Sequence, residues 1–181
     1  MTEQRRTRTF ENFPFALYAT DVKFQVSNRP SGKFMEQKHY FSGKHKLYGC
    51  KIECSVSPSG QVVHLSSHFP GSASDLRIFE EGIESHRQML SKTAAEKVEP
   101  DYGEDTFQGA DVFRDFWAVL RDKGYQGAGA MTPTLQPKKQ PRGGSLTYQE
   151  AQFNIRVSSD RVLVEIFSGR MSMLWKVAYA T

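Results

Sequence analysis

Apolar and aromatic residues crowd FALYATDVKFQV (15–26) densely enough to predict a strand, with Asp21 set inside it. SNRPSGK then brings turn chemistry. KLYGCKIECSVS (46–57) partly alternates, PSG (58–60) turns the chain, and QVVHLSSHF (61–69) returns as the second arm of a hairpin. These three strands read as an antiparallel meander. PGSAS breaks the run, and Leu76, Phe79, Ile83 and Leu90 recur at helical spacing across 75–90. Residues 91–111 are acidic and irregular, a surface excursion, and FWAVLRD (116–122) reads as a fourth, buried strand. Residues 123–145, rich in Gly, Pro, Lys and Gln, read as a long loop. A helix is predicted from Leu146 to Ala178, opened by a capping box of Thr147 and Glu150. Two apolar stripes mark it, Ala151–Ile155–Val162 and Phe153–Val157–Val164, and Gly169 is read as its end or a kink.

That order predicts an α/β fold: a ribonuclease H-like mixed sheet of three antiparallel strands, then a helix and a further strand, flanked by helices. The 181 residues suit one domain, taken as 15–178 behind a basic N-terminal tail, 1–14. No apolar run approaches the ~20 residues of a membrane span. No apolar stretch follows the basic start, so no secretory leader is expected, and RRTR is too short to claim as a nuclear address. Cys50 and Cys54 in CKIEC point the same way along a strand but stand too far apart to bridge. No Cys/His pair at zinc spacing joins them, so they read as small buried hydrophobes of a reducing compartment.

The net charge of +4 conceals an uneven distribution. Residues 75–116 hold eleven Asp/Glu against five Lys/Arg, a balance of −6 that leaves +10 elsewhere. Much of that surplus lies in RPSGKFMEQKHYFSGKHKLYGCK, among Tyr40, Phe41 and Tyr48, and in QPKKQPRGGS. Cations interleaved with aromatics suit a phosphate backbone; an ordinary solvated face is the plain alternative.

Three acids fall on three different elements: Asp21 in the first strand, Asp122 at the end of the fourth, Glu165 on the last helix. Two hard divalent cations need carboxylates from separate elements, with room left for water and phosphate. Each acid also has a plainer account. Asp21 pairs with Lys23 or Lys51, Asp122 caps the turn before Gly124, and Glu165 pairs with Arg161 one helical turn back. Asp75 reads as the N-cap of the 75–90 helix. His39, His45, His64, His68 and His86 form no motif.

Several blocks together, TDVKFQVSNRPSG, YFSGKHKLYGCKIECSVSPSGQVVHLSSHFPGSASDLRIF, RDKGYQG, PKKQPRGGSLTYQEAQFN and SSDRVLVEIFSGRM, resemble the DDE endonuclease domain of Harbinger-type (PIF/Harbinger) transposases. They run in that family's order over about residues 15–178. The resemblance implies a ribonuclease H-like fold and a cut-and-paste DNA transposase using two Mg²⁺ or Mn²⁺ ions. Its aspartates fall on Asp21 and on Asp122 in DKGY, and its glutamate on Glu165 in RVLVE. These would be both catalytic and metal-binding residues, with Asp75 a helix-capping neighbour. Where the family often has Asp-Gly-Thr, this chain has Asp21-Val22-Lys23. Lys44, Lys46, Lys138, Lys139 and Arg142 are the candidates for DNA backbone contact, and Arg161 and Arg170 for orienting Glu165 or meeting phosphate. The implied partners are transposon ends and target DNA, a helper DNA-binding protein and a second copy of the chain; the implied compartment is the nucleus. The family's helical DNA-binding region has no counterpart ahead of Asp21, so the chain resembles the catalytic core alone, or a truncated or decayed copy. The alternative is a transposase-derived, non-catalytic DNA-binding or adaptor protein.

Overall fold

A computed structural model describes residues 8–98 and 112–174. The elements are β1 (Ala16–Val26), α1 (Phe34–His39), β2 (Phe41–Ser42), β3 (Leu47–Val56), β4 (Val62–Pro70), α2 (Asp75–Glu81), α3 (Ile83–Leu90), β5 (Ala118–Leu120), β6 (Thr134–Leu135) and α4 (Tyr148–Leu174). β3 pairs antiparallel with β1 and β4, so the predicted meander forms, while β5 and then β6 add in parallel beyond β1. A parallel neighbour needs a crossover, and α2–α3 with the segment after them supply it. The result is a curled mixed sheet flanked by helices, as expected of a ribonuclease H-like fold.

Strand alternation sorts the side chains onto two faces. Ala19 of β1, Cys54 and Val56 of β3 and Leu120 of β5 pack with Val157 and Val164 of α4. Tyr18 and Val119 face the other way, against Leu90 of α3, and Phe79 of α2 packs nearby on Tyr125 and Ala128. Phe10 and Phe13, from the stretch read as a basic tail, are buried in the α4-side core. Asp160 on α4 holds them there, accepting from the Asn12 backbone N–H at 3.0 Å, Asn12 Nδ2 at 2.9 Å and the Phe13 N–H at 3.1 Å.

Several details differ from expectation. Gly82 divides the predicted 75–90 helix into α2 and α3. Ser74, not Asp75, is the N-cap: its Oγ accepts the Arg77 N–H at 3.2 Å, whereas Asp75 is drawn to Lys51. α4 continues through Gly169, where an added Cβ would meet nothing, so the glycine weakens the helix by about 1 kcal/mol without ending it. Of the two α4 stripes, only Phe153–Val157–Val164 packs on the core; Ile155 and Val162 are 59% and 42% exposed. The loop 123–145 contains two single-turn helices and β6, and residues 27–45 form α1 and β2, none of which hydrophobic periodicity announced. The Thr147–Glu150 capping box forms as read. Residues 99–111 of the acidic excursion and 175–178 of the last helix lie outside the described residues.

Candidate functional site

Alternation decides which acids can meet. Asp21 has the parity of Ala19, and Asp122 that of Leu120, so both carboxylates emerge on the face that α4 covers. Asp122 remains extended (φ −82°, ψ 170°), and the chain turns only after it, through Lys123–Tyr125. Glu165 comes from α4, one turn beyond the buried Arg161. The guanidinium of Arg161 lies 3.5 Å from Asp122 Oδ1 and 3.6 Å from Glu165 Oε1, and its Nε has no hydrogen-bond partner among the described residues. These are ion pairs longer than an ordinary hydrogen bond.

Burial pushes the Asp21 carboxyl above the usual carboxylate range. Arg161 and the Val22 N–H pull it back down, while Asp122 and Asp75 push it up again. Among the described residues Asp21 forms no ion pair. Its expected lysine partner is engaged elsewhere: Lys51 Nζ donates to the Ala73 carbonyl at 2.7 Å and to Asp75 Oδ1 at 3.0 Å, on the other face of the sheet. Lys23 shares Asp21's face two residues on. Gly124 is required where the turn passes Asp75, since a Cβ there would lie 2.4 Å from Asp75 Oδ2.

The opposite face carries a polar cluster that the sequence did not reveal. Glu53 is fully buried, and His86 Nε2 lies 2.7 Å from its Oε1, while the Tyr125 hydroxyl donates to Oε2 at 3.0 Å. The Tyr18 hydroxyl lies 2.8 Å from His86 Nδ1, so the imidazole bridges Tyr18 and Glu53. Arg121, also fully buried, stacks 3.6 Å from the Phe79 ring centroid and donates to Thr134 Oγ1 and Thr132 Oγ1 at 3.0 Å each. Burial lowers its pKa to about 10, so it remains a cation at neutral pH, with Tyr18, Tyr125 and Glu53 acting to hold its charge. With His64 this cluster places three potential metal ligands within 4.8 Å of one another, the one such group among the described residues. Both Glu53 oxygens and both His86 ring nitrogens already have hydrogen-bond partners, in Tyr125, Tyr18 and each other. The signal in the sequence was an acid inside an apolar strand, the same signal that marked Asp21.

Lys44 and Lys46 project from the β2–β3 turn, where Lys46 adopts a left-handed φ of 59° and His45 stacks on Phe24 with ring centroids 4.5 Å apart. Lys138, Lys139 and Arg142 belong to a second place, beside the start of α4: the Lys138 N–H donates to Asn154 Oδ1 at 2.6 Å, and Lys139 and Arg142 are exposed. Cys50 and Cys54 are free thiols, and burial pushes Cys54 up to about 12.

Comparison with curated proteins and with solved structures found no match. The family model described as DDE superfamily endonuclease matches residues 17–180, nearly the whole chain. Its span takes in β1 with Asp21, the Asp122 turn and α4 with Glu165, and the chain belongs to the DDE superfamily endonuclease family.

Proposed function

We propose that this chain is the endonuclease core of a Harbinger-type transposase. It cleaves DNA at transposon ends and joins the freed 3′-hydroxyl to target DNA. The observation that carries the reading is the gathering of Asp21, Asp122 and Glu165 around one arginine, on the single face that β1, β5 and α4 share.

The donor set fits hard cations. Three ionised carboxylates against the Arg161 guanidinium leave a net charge of −2, with Asp122 and Glu165 open to solvent and Asp21 without an ion pair among the described residues. Asp21, Asp122 and Glu165 would hold two Mg²⁺ or Mn²⁺ ions. Bound there, the ions supply Lewis-acid polarisation of the scissile phosphate and an acidified water. Arg161 orients Asp122 and Glu165 and keeps their charges from driving them apart. Arg170, further along α4, is a candidate phosphate contact. Lys44, Lys46, Lys138, Lys139 and Arg142 bind backbone phosphates, with an affinity that falls as salt rises. A helper DNA-binding protein, a second copy of the chain and a nuclear location accompany this reading.

Nicking of supercoiled plasmid DNA in Mn²⁺ tests it. The wild type cuts; Asp122→Asn loses the activity by at least about two orders of magnitude, the scale on which a group stabilising transition-state charge acts. Equal nicking by the two proteins would exclude the assignment.

A second reading, a non-catalytic DNA-binding or adaptor protein descended from a transposase, draws support from Arg161 contacting two of the acids and from Lys23 on the face of the third. Mn²⁺ titration followed by calorimetry separates them. No binding at the acids, with DNA affinity intact, favours the adaptor.

A further inference from the structure

Helix α1 stands out because it buries none of its own residues. Phe34 and Met35, its two large apolar side chains, are 68% and 74% exposed. A six-residue helix has little stability of its own, yet this one is firmly held from below. Glu36 Oε2 accepts the Lys33 N–H at 3.1 Å, Arg29 donates twice to Gln37 Oε1, at 2.9 and 2.6 Å, and Gln37 Nε2 donates to the Gly32 carbonyl at 3.0 Å. At its far end Ser72 N–H donates to the His39 carbonyl at 3.2 Å and Gly49 N–H to the Tyr40 carbonyl at 2.9 Å. The chain closes tightly beneath it: a Cβ on Gly71 would come within 2.4 Å of the Tyr40 carbonyl oxygen. The polar contacts fix the helix, and the apolar pair is left pointing outward.

The surroundings say what that pair meets. Arg29, Lys33, Lys38, Lys44 and Lys46 are all exposed within residues 28–48, against Glu36 as the one acid, a balance of +4. Protein interfaces are depleted in lysine, so this setting does not suit a protein partner. It suits a polyanion, and exposed Phe and Met beside phosphate-binding cations are the composition of side chains that wedge between stacked bases. β1 links the two places in the chain: Asp21 lies within it, and the chain leaves its end at Val26 for α1.

We propose that α1 is a DNA-distorting wedge, in which Phe34 and Met35 enter a base step while the five flanking cations hold its phosphates. The proposal rests on the endonuclease reading above and adds the residues that open the duplex near the cut. Rigid anchoring matters here because a wedge that had to order itself on binding would lose affinity.

The test uses the full chain and a duplex carrying 2-aminopurine at successive positions, whose fluorescence rises when it unstacks. Wild type binds and raises the signal at one step. Phe34→Ala/Met35→Ala, which removes mostly exposed atoms, binds about 10-fold or more weakly and gives no rise, with the salt dependence unchanged. Lys44→Ala/Lys46→Ala keeps the rise at saturating protein and lowers the salt slope by about two, one for each phosphate that no longer meets a lysine. Wild-type nicking and binding with no fluorescence rise would overturn the wedge alone. So would a Phe34→Ala/Met35→Ala protein matching wild type, or one altered only in self-association by sedimentation. Failure of the wild type to bind duplex DNA at low salt would overturn the endonuclease reading and the wedge together.

Discussion

Glu53→Gln replaces the carboxyl group of the buried polar network with an amide of nearly equal volume. The carboxylate is buried without solvent access and receives two hydrogen bonds, from His86 and Tyr125. An amide offers one oxygen, so its NH₂ faces the second donor. His86 can switch tautomer to accept from that NH₂, but Tyr18 then loses its acceptor. The charge is not recoverable in any arrangement. Arg121 stays fully buried with its guanidinium on Phe79, among neutral threonines and tyrosines. Hydrogen bonds to a charged acceptor are worth about 1.5–3 kcal/mol each, and Glu53 has two such partners. A loss of about 3 kcal/mol is expected, a fall in Tm of roughly 6–12 °C for a chain of this size. Thermal unfolding followed by far-ultraviolet circular dichroism measures it, beside Arg121→Met and the double variant. Charge coupling predicts that the double variant loses less than the two single losses added. A Glu53→Gln protein within about 1 kcal/mol of wild type, or strict additivity in the cycle to about 0.5 kcal/mol, would refute the reasoning.

Gly124→Ala places a Cβ 2.4 Å from Asp75 Oδ2, whose position Lys51 fixes, and should cost about 1–3 kcal/mol in urea unfolding, with part recovered in Gly124→Ala/Asp75→Ala. Asp160→Ala orphans the Asn12 and Phe13 N–H groups and should cost about 1.5–3 kcal/mol, with faster proteolysis ahead of Phe15. Asp21→Asn removes a carboxylate that burial disfavours, so the metal-free protein should gain about 1 kcal/mol while losing the Mn²⁺-induced rise in Tm; a retained rise would exclude Asp21 as a ligand. Burial raises the Tyr18 and Tyr125 phenols, so both stay protonated when folded while unfolded phenols ionise near pH ~10. Their contribution is full below that pH and is lost as pH rises above it; Arg121 shifts the other way, but two phenols outweigh one guanidinium. Tyrosinate absorbance should therefore show two phenols ionising together with alkaline unfolding, and their ionisation in the folded protein would contradict the buried network.

Local chemistry carried much of the fold. The three antiparallel strands and the capped last helix follow from patterns that short segments express alone, the apolar and aromatic crowding of β1, the partial alternation of β3 and the reciprocal Thr147–Glu150 bonds. Asp21 was legible as an acid where an apolar strand should have none. α1 was not, because its stability comes from Arg29, Gly32, Ser72 and Gly49, residues outside the helix that supply hydrogen bonds rather than an apolar face. The Ile155 stripe of α4 misled for a related reason: helical periodicity reports two apolar faces equally, and only the sheet chooses the one that is buried.

By itself, then, the sequence determined the strands β1, β3, β4 and β5 and the helical stretches of α2–α3 and α4, and it supplied three acids, a basic surplus and the blocks that mark a DDE endonuclease. Only the tertiary structure decided faces and partners. Asp122 lies on the α4 side, and its neighbour Arg121 is carried into the opposite core, because alternation along β5 sends adjacent residues to opposite sides of the sheet. Lys51 goes to Asp75 rather than Asp21 by the same rule along β3. Glu53, His86, Tyr18 and Tyr125 meet because a parallel crossover folds α3 and the turn after β5 onto one face, an arrangement that no local pattern can encode.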